Sequence, residues 1–402
     1  MGTSYQNAFI GALQRRFMFA QTNHEQSQMR NEPKKRFSIS CSTWITVATL
    51  ELGKPETEVL MEALLAASLA IIGRDRKDHD VALHGAYLQT RALQRLRYSL
   101  TRYQQGDRSI CPTMLSLSAL TCAMSELIAN KSWDNFNRHL LGVGALIFHG
   151  GVERLSSKSA REHFYGYRAI QAPFLFMNRQ RAFLSEPEWI DLPWKNELEL
   201  AQHPLHLMLD VAFKLLPEIV KQNTPKKWKT AELEERLERS WEIVAELEDW
   251  ENQQRSQHGG VLYTHVPAAW QGVFRQRLEF PNTSSGIAFT MYTAIRIHAA
   301  NLIANISEDI LSRDPTADVH PSSAELEALQ WSRLACQCIE FFHTGPPKYA
   351  GRIVTLWPLE TAWELFSRLQ DQGFIDTSQE IGWCRATAER HAALEIPVFR
   401  WR

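Results

Sequence analysis

A chain of 402 residues with 44% hydrophobic content can bury a large core, and its length leaves room for two or three domains. Its 44 basic and 45 acidic residues give a formal net charge of −1, which excludes a protein whose whole surface tracks nucleic acid. The six cysteines, Cys41, Cys111, Cys122, Cys336, Cys338 and Cys384, are scattered and never stand in C-x-x-C spacing, so they read as reduced thiols of an intracellular protein.

Residues 1–40 are polar and read as a flexible leader with one short amphipathic piece (Phe9, Leu13, Phe17). They hold no apolar core of a secretory signal. The basic group Lys34, Lys35 and Arg36 is a nuclear-import candidate, although three basic residues in a polar tail are also commonplace. Pro55 suits the first turn of a helix, where a missing N–H costs nothing, and Leu60, Leu64, Ala67 and Ile71 repeat at helical spacing behind it.

Residues 74–80 read as a charged, solvated connection. Asp75, Asp78, His79 and Asp80 are oxygen-rich, but Arg76 and Lys77 would repel a cation. The next helix is expected to bury Leu83, Tyr87, Leu93, Leu96 and Leu100. A further helix runs from Cys111 to Asn130, with Pro112 at its start; a helical pattern then leads from Trp133 toward His149-Gly150-Gly151, and another helix is expected from Pro204 to about Gln222. Gly142-Val143-Gly144 lacks the third glycine and the preceding strand of a dinucleotide fingerprint, so it reads as two small residues for close helix packing.

Residues 160–184 are aromatic-rich, and His163, Tyr165, Tyr167 and Arg168 there are the candidates for acid–base chemistry in an aromatic pocket, if the protein is an enzyme. The plainer reading is that this helix is core. His203, His206 and Asp210 fall at i, i+3 and i+7 and form a weak alternative metal set, against a simple local His206–Asp210 pair. No other metal set, no cofactor motif, no P-loop and no nucleophile elbow is found.

Leu233, Leu237, Trp241, Val244, Leu247 and Trp250 make a narrow apolar stripe on a charged helix. Residues 255–284 read as loop, and helices resume near 285–311, 322–343, 358–371 and 377–394. No run of 18 apolar residues offers a membrane span. With no period-2 alternation long enough for a sheet, the expected fold is all-α: a single large body of antiparallel helices over residues 41–402.

The stretch from Leu60 to Gly151 resembles the regulatory, "middle homology" domain of fungal zinc-cluster transcription factors. The resemblance rests on the apolar helix Leu60–Ile72, on Tyr87 with Ala92, Leu93 and Leu96, and on the leucine-rich helix from Leu115 to Glu126. It continues through Trp133, His139-Leu140, Gly142, Ala145-Leu146-Ile147 and Gly150-Gly151, and through Leu356-Trp357-Pro358-Leu359 near the end. Family members that bind DNA carry a six-cysteine zinc cluster before this domain, and residues 1–40 contain no cysteine. The resemblance therefore implies a nuclear regulatory protein without its own DNA-binding module. It would act through another regulatory protein or a small-molecule effector, with no membrane partner and with self-association left open. The alternative is a cofactor-independent enzyme or small-molecule-binding protein of fungal specialised metabolism on the same scaffold, in the cytoplasm.

Overall fold

Helices carry about 80% of the described residues, as the 3.6-residue apolar repeat leads one to expect. The computed structural model describes residues 10–11, 43–52, 57–130, 132–191, 203–223, 228–344 and 349–393. The leader, its basic cluster Lys34, Lys35 and Arg36, and Pro55 lie outside these residues. The fold is all-α, with one small hairpin.

The described residues up to Gln171 form one compact unit. Those from Ala172 onward form another, apart from Tyr349 and Ala350, which cluster with the first. The division falls inside one helix.

The first unit contains α1 (Thr43–Glu51), α2 (Glu58–Arg76), α3 (His79–Gln104), α4 (Pro112–Asn130), α5 (Trp133–Gly150) and the first part of α6 (Lys158–Asn178). Helix α2 packs on α3 and α4, and α4 also packs on α1, α3 and α5. That central place explains why α2 is apolar on almost every side, whereas α3 and α5 are amphipathic. Glycines let α2 and α3 approach. A Cβ on Gly73 would lie 2.6 Å from the backbone nitrogen of Ala82, and one on Gly85 would lie 3.1 Å from that of Ala70. Gly142, by contrast, faces open space, so its expected role in close packing is not what the fold uses.

Two further expectations in this unit are corrected. The charged run 74–80 is mostly helix: only Lys77, at φ 53°, and Asp78 separate α2 from α3, and Asp78 caps α3 by accepting from the Val81 N–H at 3.1 Å. Leu83 and Tyr87 are 61% and 56% exposed, because α3 instead buries Gly85, Leu88, Gln89, Ala92 and Leu96. On that face the buried polar Gln89 is satisfied: its amide donates to the Cys122 carbonyl of α4 at 3.1 Å.

The second unit contains the end of α6, α7 (Pro187–Asp191), α8 (Pro204–Gln222), α9 (Thr230–Gln257), β1 (Thr264–Pro267), β2 (Gln276–Glu279), α10 (Thr283–Leu311), α11 (Pro321–Ile339), α12 (Tyr349–Val354), α13 (Leu356–Asp371) and α14 (Ser378–Ala393). Helix α10 packs on α8, α9, α11 and α13. By length and composition it could cross a membrane, although Arg296, His298 and Asn301 interrupt its apolar residues, and 89% of its apolar window is buried inside the protein. Strands β1 and β2 pair antiparallel, with Thr264 opposite Glu279 and Pro267 opposite Gln276. Four residues each are too few to show a period-2 pattern, so the loop expected over 255–284 hid a hairpin.

The α9 stripe buries Leu233, Val244, Leu247 and Trp250 as expected, but it is not wholly the expected one. Trp241 is 46% exposed, while Arg236, Ser240 and Ile243 are buried. Arg236 donates through Nε to Glu218 Oε2 at 3.2 Å and through Nη2 to the Glu218 carbonyl at 3.0 Å, and it lies 4.6 Å from the Trp228 ring. A paired, stacked guanidinium thus occupies the seam where an apolar residue was expected.

Candidate functional site

The four acid–base candidates all lie on α6 and are all buried. Helical spacing puts His163 and Tyr167 on one face and Tyr165 on the opposite one, so the four do not converge on one point. His163 Nε2 is 2.8 Å from Ser116 Oγ on α4, and burial pushes its pKa down to about 4. Burial raises the Tyr167 phenol, which keeps it protonated. Arg168 lies 5.6 Å from the Phe164 ring. These contacts tie α6 into its unit.

The weak metal set behaves differently. His203 precedes α8 and His206 lies in its first turn, with ring centroids 5.5 Å apart. Burial pushes His203 down to about 4. Among the described residues no three His, Cys, Asp or Glu side chains are grouped to hold a metal ion, so His203, His206 and Asp210 do not assemble as that reading required.

Sequence reasoning missed the polar cluster in the second unit that the fold does assemble. Helix α10 contributes His298, a single imidazole in an apolar run. Helix α13 contributes Trp357, Glu360 and Glu364, spaced i, i+3 and i+7 along one face. The end of α6 contributes Phe176 and Arg179. Arg179 ends that helix at φ 50°, with its N–H bonded to the Phe176 carbonyl and the Gln180 N–H to that of Leu175. Glycine usually fills such a left-handed cap. The arginine there donates through Nη1 to Asn223 Oδ1 at 2.6 Å.

Phe176, His298 and Trp357 form an aromatic triangle. The ring centroids are 5.4 Å apart for Phe176–His298, 5.5 Å for Phe176–Trp357 and 6.0 Å for His298–Trp357, the last pair stacked at 26°. Among the described residues, three buried polar atoms here find no hydrogen-bond partner: His298 Nε2 and Trp357 Nε1 of the triangle, and Glu360 Oε2 one turn along α13 from Trp357. Such atoms are uncommon in folded proteins because each forgoes its hydrogen bond to water without replacement.

Electrostatics sharpens the picture. Burial, and then the neighbouring Glu364 charge, push Glu360 up to about 8, so at neutral pH it is mostly a protonated acid. Burial, and then Arg179, push His298 down to about 3, so its imidazole is neutral. Glu364 keeps an exposed edge, yet the protein around its carboxyl raises its pKa while Arg179 opposes the rise. The cluster therefore offers a neutral acid, a neutral imidazole, an indole N–H and one guanidinium beside a flat aromatic wall. It can hydrogen-bond a small molecule in several directions, or pass a proton.

Two sequence signals, both overlooked, could have led here: the lone histidine of α10, and the shared face of Trp357, Glu360 and Glu364. Arg179 carried none, because an arginine in a left-handed cap is not encoded by any local pattern.

Comparison with known protein families, with characterised proteins and with solved structures returned no match to this chain.

Proposed function

We propose that this chain is a helical regulatory protein of the type that its Leu60–Gly151 stretch resembles, and that it responds to a small-molecule effector taken up at the His298–Trp357–Glu360 cluster. The observation that carries this reading is the set of three buried polar atoms without partners among the described residues, two of them on the rings of an aromatic wall. A ligand that stacks on Trp357 and hydrogen-bonds His298 Nε2 and Glu360 would satisfy them. The effector then acts through a second regulatory protein, and no residue of the cluster is assigned to nucleic acid. On this reading the protein works in the nucleus.

A second reading is favoured by one specific feature. A carboxylic acid that titrates near neutrality, in a site that also holds a neutral imidazole, is what acid–base catalysis without a cofactor needs. The protein would then turn over the small molecule it binds.

Replacing the gene by a His298→Leu, Glu360→Leu version separates the two. Altered transcripts of other genes, matching those of a deletion, support the regulator. Unchanged transcripts with one accumulating metabolite favour the enzyme. No change in either removes the cluster from both readings.

A further inference from the structure

The outer face of α3 carries side chains that neither the core nor the effector reading uses. Leu83, Tyr87, Thr90, Gln94, Tyr98 and Thr101 recur every three or four residues, which lines them along one strip of the helix, opposite its buried face. Leu83 is 61%, Tyr87 56% and Tyr98 65% exposed, and no other described helix leaves three large apolar side chains open. Arg91 lies 5.7 Å from the Tyr87 ring and Arg102 5.7 Å from the Tyr98 ring, so both aromatic side chains are steadied against the helix surface.

Charge is divided along this helix. Asp78 and Asp80 stand at its start, with Asp78 engaged as the cap, whereas Arg91, Arg95, Arg97 and Arg102 stand from its middle onward. Arg91 pairs with Glu62 at 2.7 Å, Arg95 with Glu58 and Glu62, and Arg102 with Asp107 at 2.8 Å. Asp80 and Arg97 are both exposed, and among the described residues neither side chain has such a partner. One unmatched acid therefore sits near one end of the strip and one unmatched base near the other.

Such a face complements itself when turned end for end. We propose that α3 is a dimer interface, on which a second copy of this chain lies antiparallel about a two-fold axis near Thr90 and Arg91. That axis sets Leu83 of each copy against Tyr98 of the other and Tyr87 against Gln94, and it brings Asp80 to the end that carries Arg97. The charges fix the direction of the pairing more than its strength, and the apolar side chains supply the contact. A partner of a single charge sign would leave one end of the strip unmatched. From Asp80 to Thr101 the helix runs about 33 Å. One helix pair of that length buries less than about 1,200 Å² in total, which makes the dimer a weak one of micromolar affinity. The interface uses no residue of the effector cluster, so either can fail without the other.

The test is sedimentation velocity of the full chain from about 1 to about 200 µM. Monomer at the low end and a rise toward the dimer mass at the high end are expected. Leu83→Glu together with Tyr98→Glu is expected to weaken self-association about tenfold or more, with helical circular dichroism and melting temperature unchanged because both side chains are exposed. Asp80→Arg sets like charges together and weakens the dimer, and adding Arg97→Asp restores it. A chain that stays monomeric at every concentration overturns the proposal, whether the face is bare, covered by another part of the same chain or kept for a different protein. So does a dimer that the two glutamates leave unchanged, or one that Asp80→Arg weakens and Arg97→Asp does not restore.

Discussion

Glu360→Gln gives the most informative perturbation of the cluster. A carboxyl whose folded-state pKa is raised holds its proton after the unfolded chain has released it. The contribution of Glu360 to stability is therefore fully present below the unfolded value of 4.5 and is lost as pH rises to the folded value of about 8. At pH 7 the gap from the unfolded value is about 2.5 units, or about 3 kcal/mol at 1.36 kcal/mol per unit, and above pH 8 the loss levels off at about 5 kcal/mol. Glutamine keeps the shape and does not titrate. Urea unfolding of both proteins from pH 5 to pH 9, read as their difference, cancels every other titrating group. The variant should match the natural protein near pH 5, gain steadily, and be more stable by about 2–3 kcal/mol at pH 7.5, since glutamine still has an unmet hydrogen bond. A difference that does not change with pH, or a variant that is weaker throughout, would refute the premise that this carboxyl is buried and unpaired.

Three more outcomes follow from the same structure. The pKa values of His163, His203, His298, His343 and His391 are all depressed by burial, so their stability is intact above the unfolded value of about 6.5 and is lost as pH falls toward 4 and 3. Melting temperature should drop steeply between pH 6.5 and pH 4 despite the opposite trend from Glu360, and a flat profile there would contradict the burial of these rings. In a Cys41→Ser background, a thiol reagent should modify exposed Cys111 quickly and buried Cys122, Cys336, Cys338 and Cys384 only on unfolding, as counted by intact mass. Burial also pushes Cys122 and Cys338 up to about 12, which suppresses their thiolates. On α9, Arg236→Ala should cost about 2 kcal/mol by removing its two hydrogen bonds to Glu218, which keeps Lys221 as a partner, whereas Trp241→Glu should change stability by less than about 0.5 kcal/mol. The reverse order in denaturant melts would restore the stripe expected from sequence.

That last pair shows where sequence reading succeeded and where it stopped. Helical periodicity and a proline start placed α8 at Pro204–Gln222 and α4 at Pro112–Asn130 almost to the residue. Periodicity does not say which face wins when a polar side chain finds a buried partner. Gln89 and Arg236 are buried and paired on the packed faces of their helices, while Leu83, Tyr87 and Trp241 lie exposed. The motif glycines tell the same story: Gly73 and Gly85 permit the close α2–α3 approach, while Gly142 faces open space. Glu126, which closes the leucine-rich helix, accepts from Asn135 Nδ2 at 3.1 Å, so this part of the family-like pattern serves packing and leaves chemistry unassigned. His298, Arg179 and Glu360 come from three distant helices, and only the tertiary fold brings them together.

The most direct measurement is native mass spectrometry of the protein isolated from its own source, beside the His298→Leu, Glu360→Leu variant prepared in the same way. The account predicts a small-molecule adduct on the natural protein that is lost from the variant while the variant's helical circular dichroism is unchanged. An adduct retained by the variant, or a bare natural protein whose melting temperature no fraction of source metabolites raises, would contradict it.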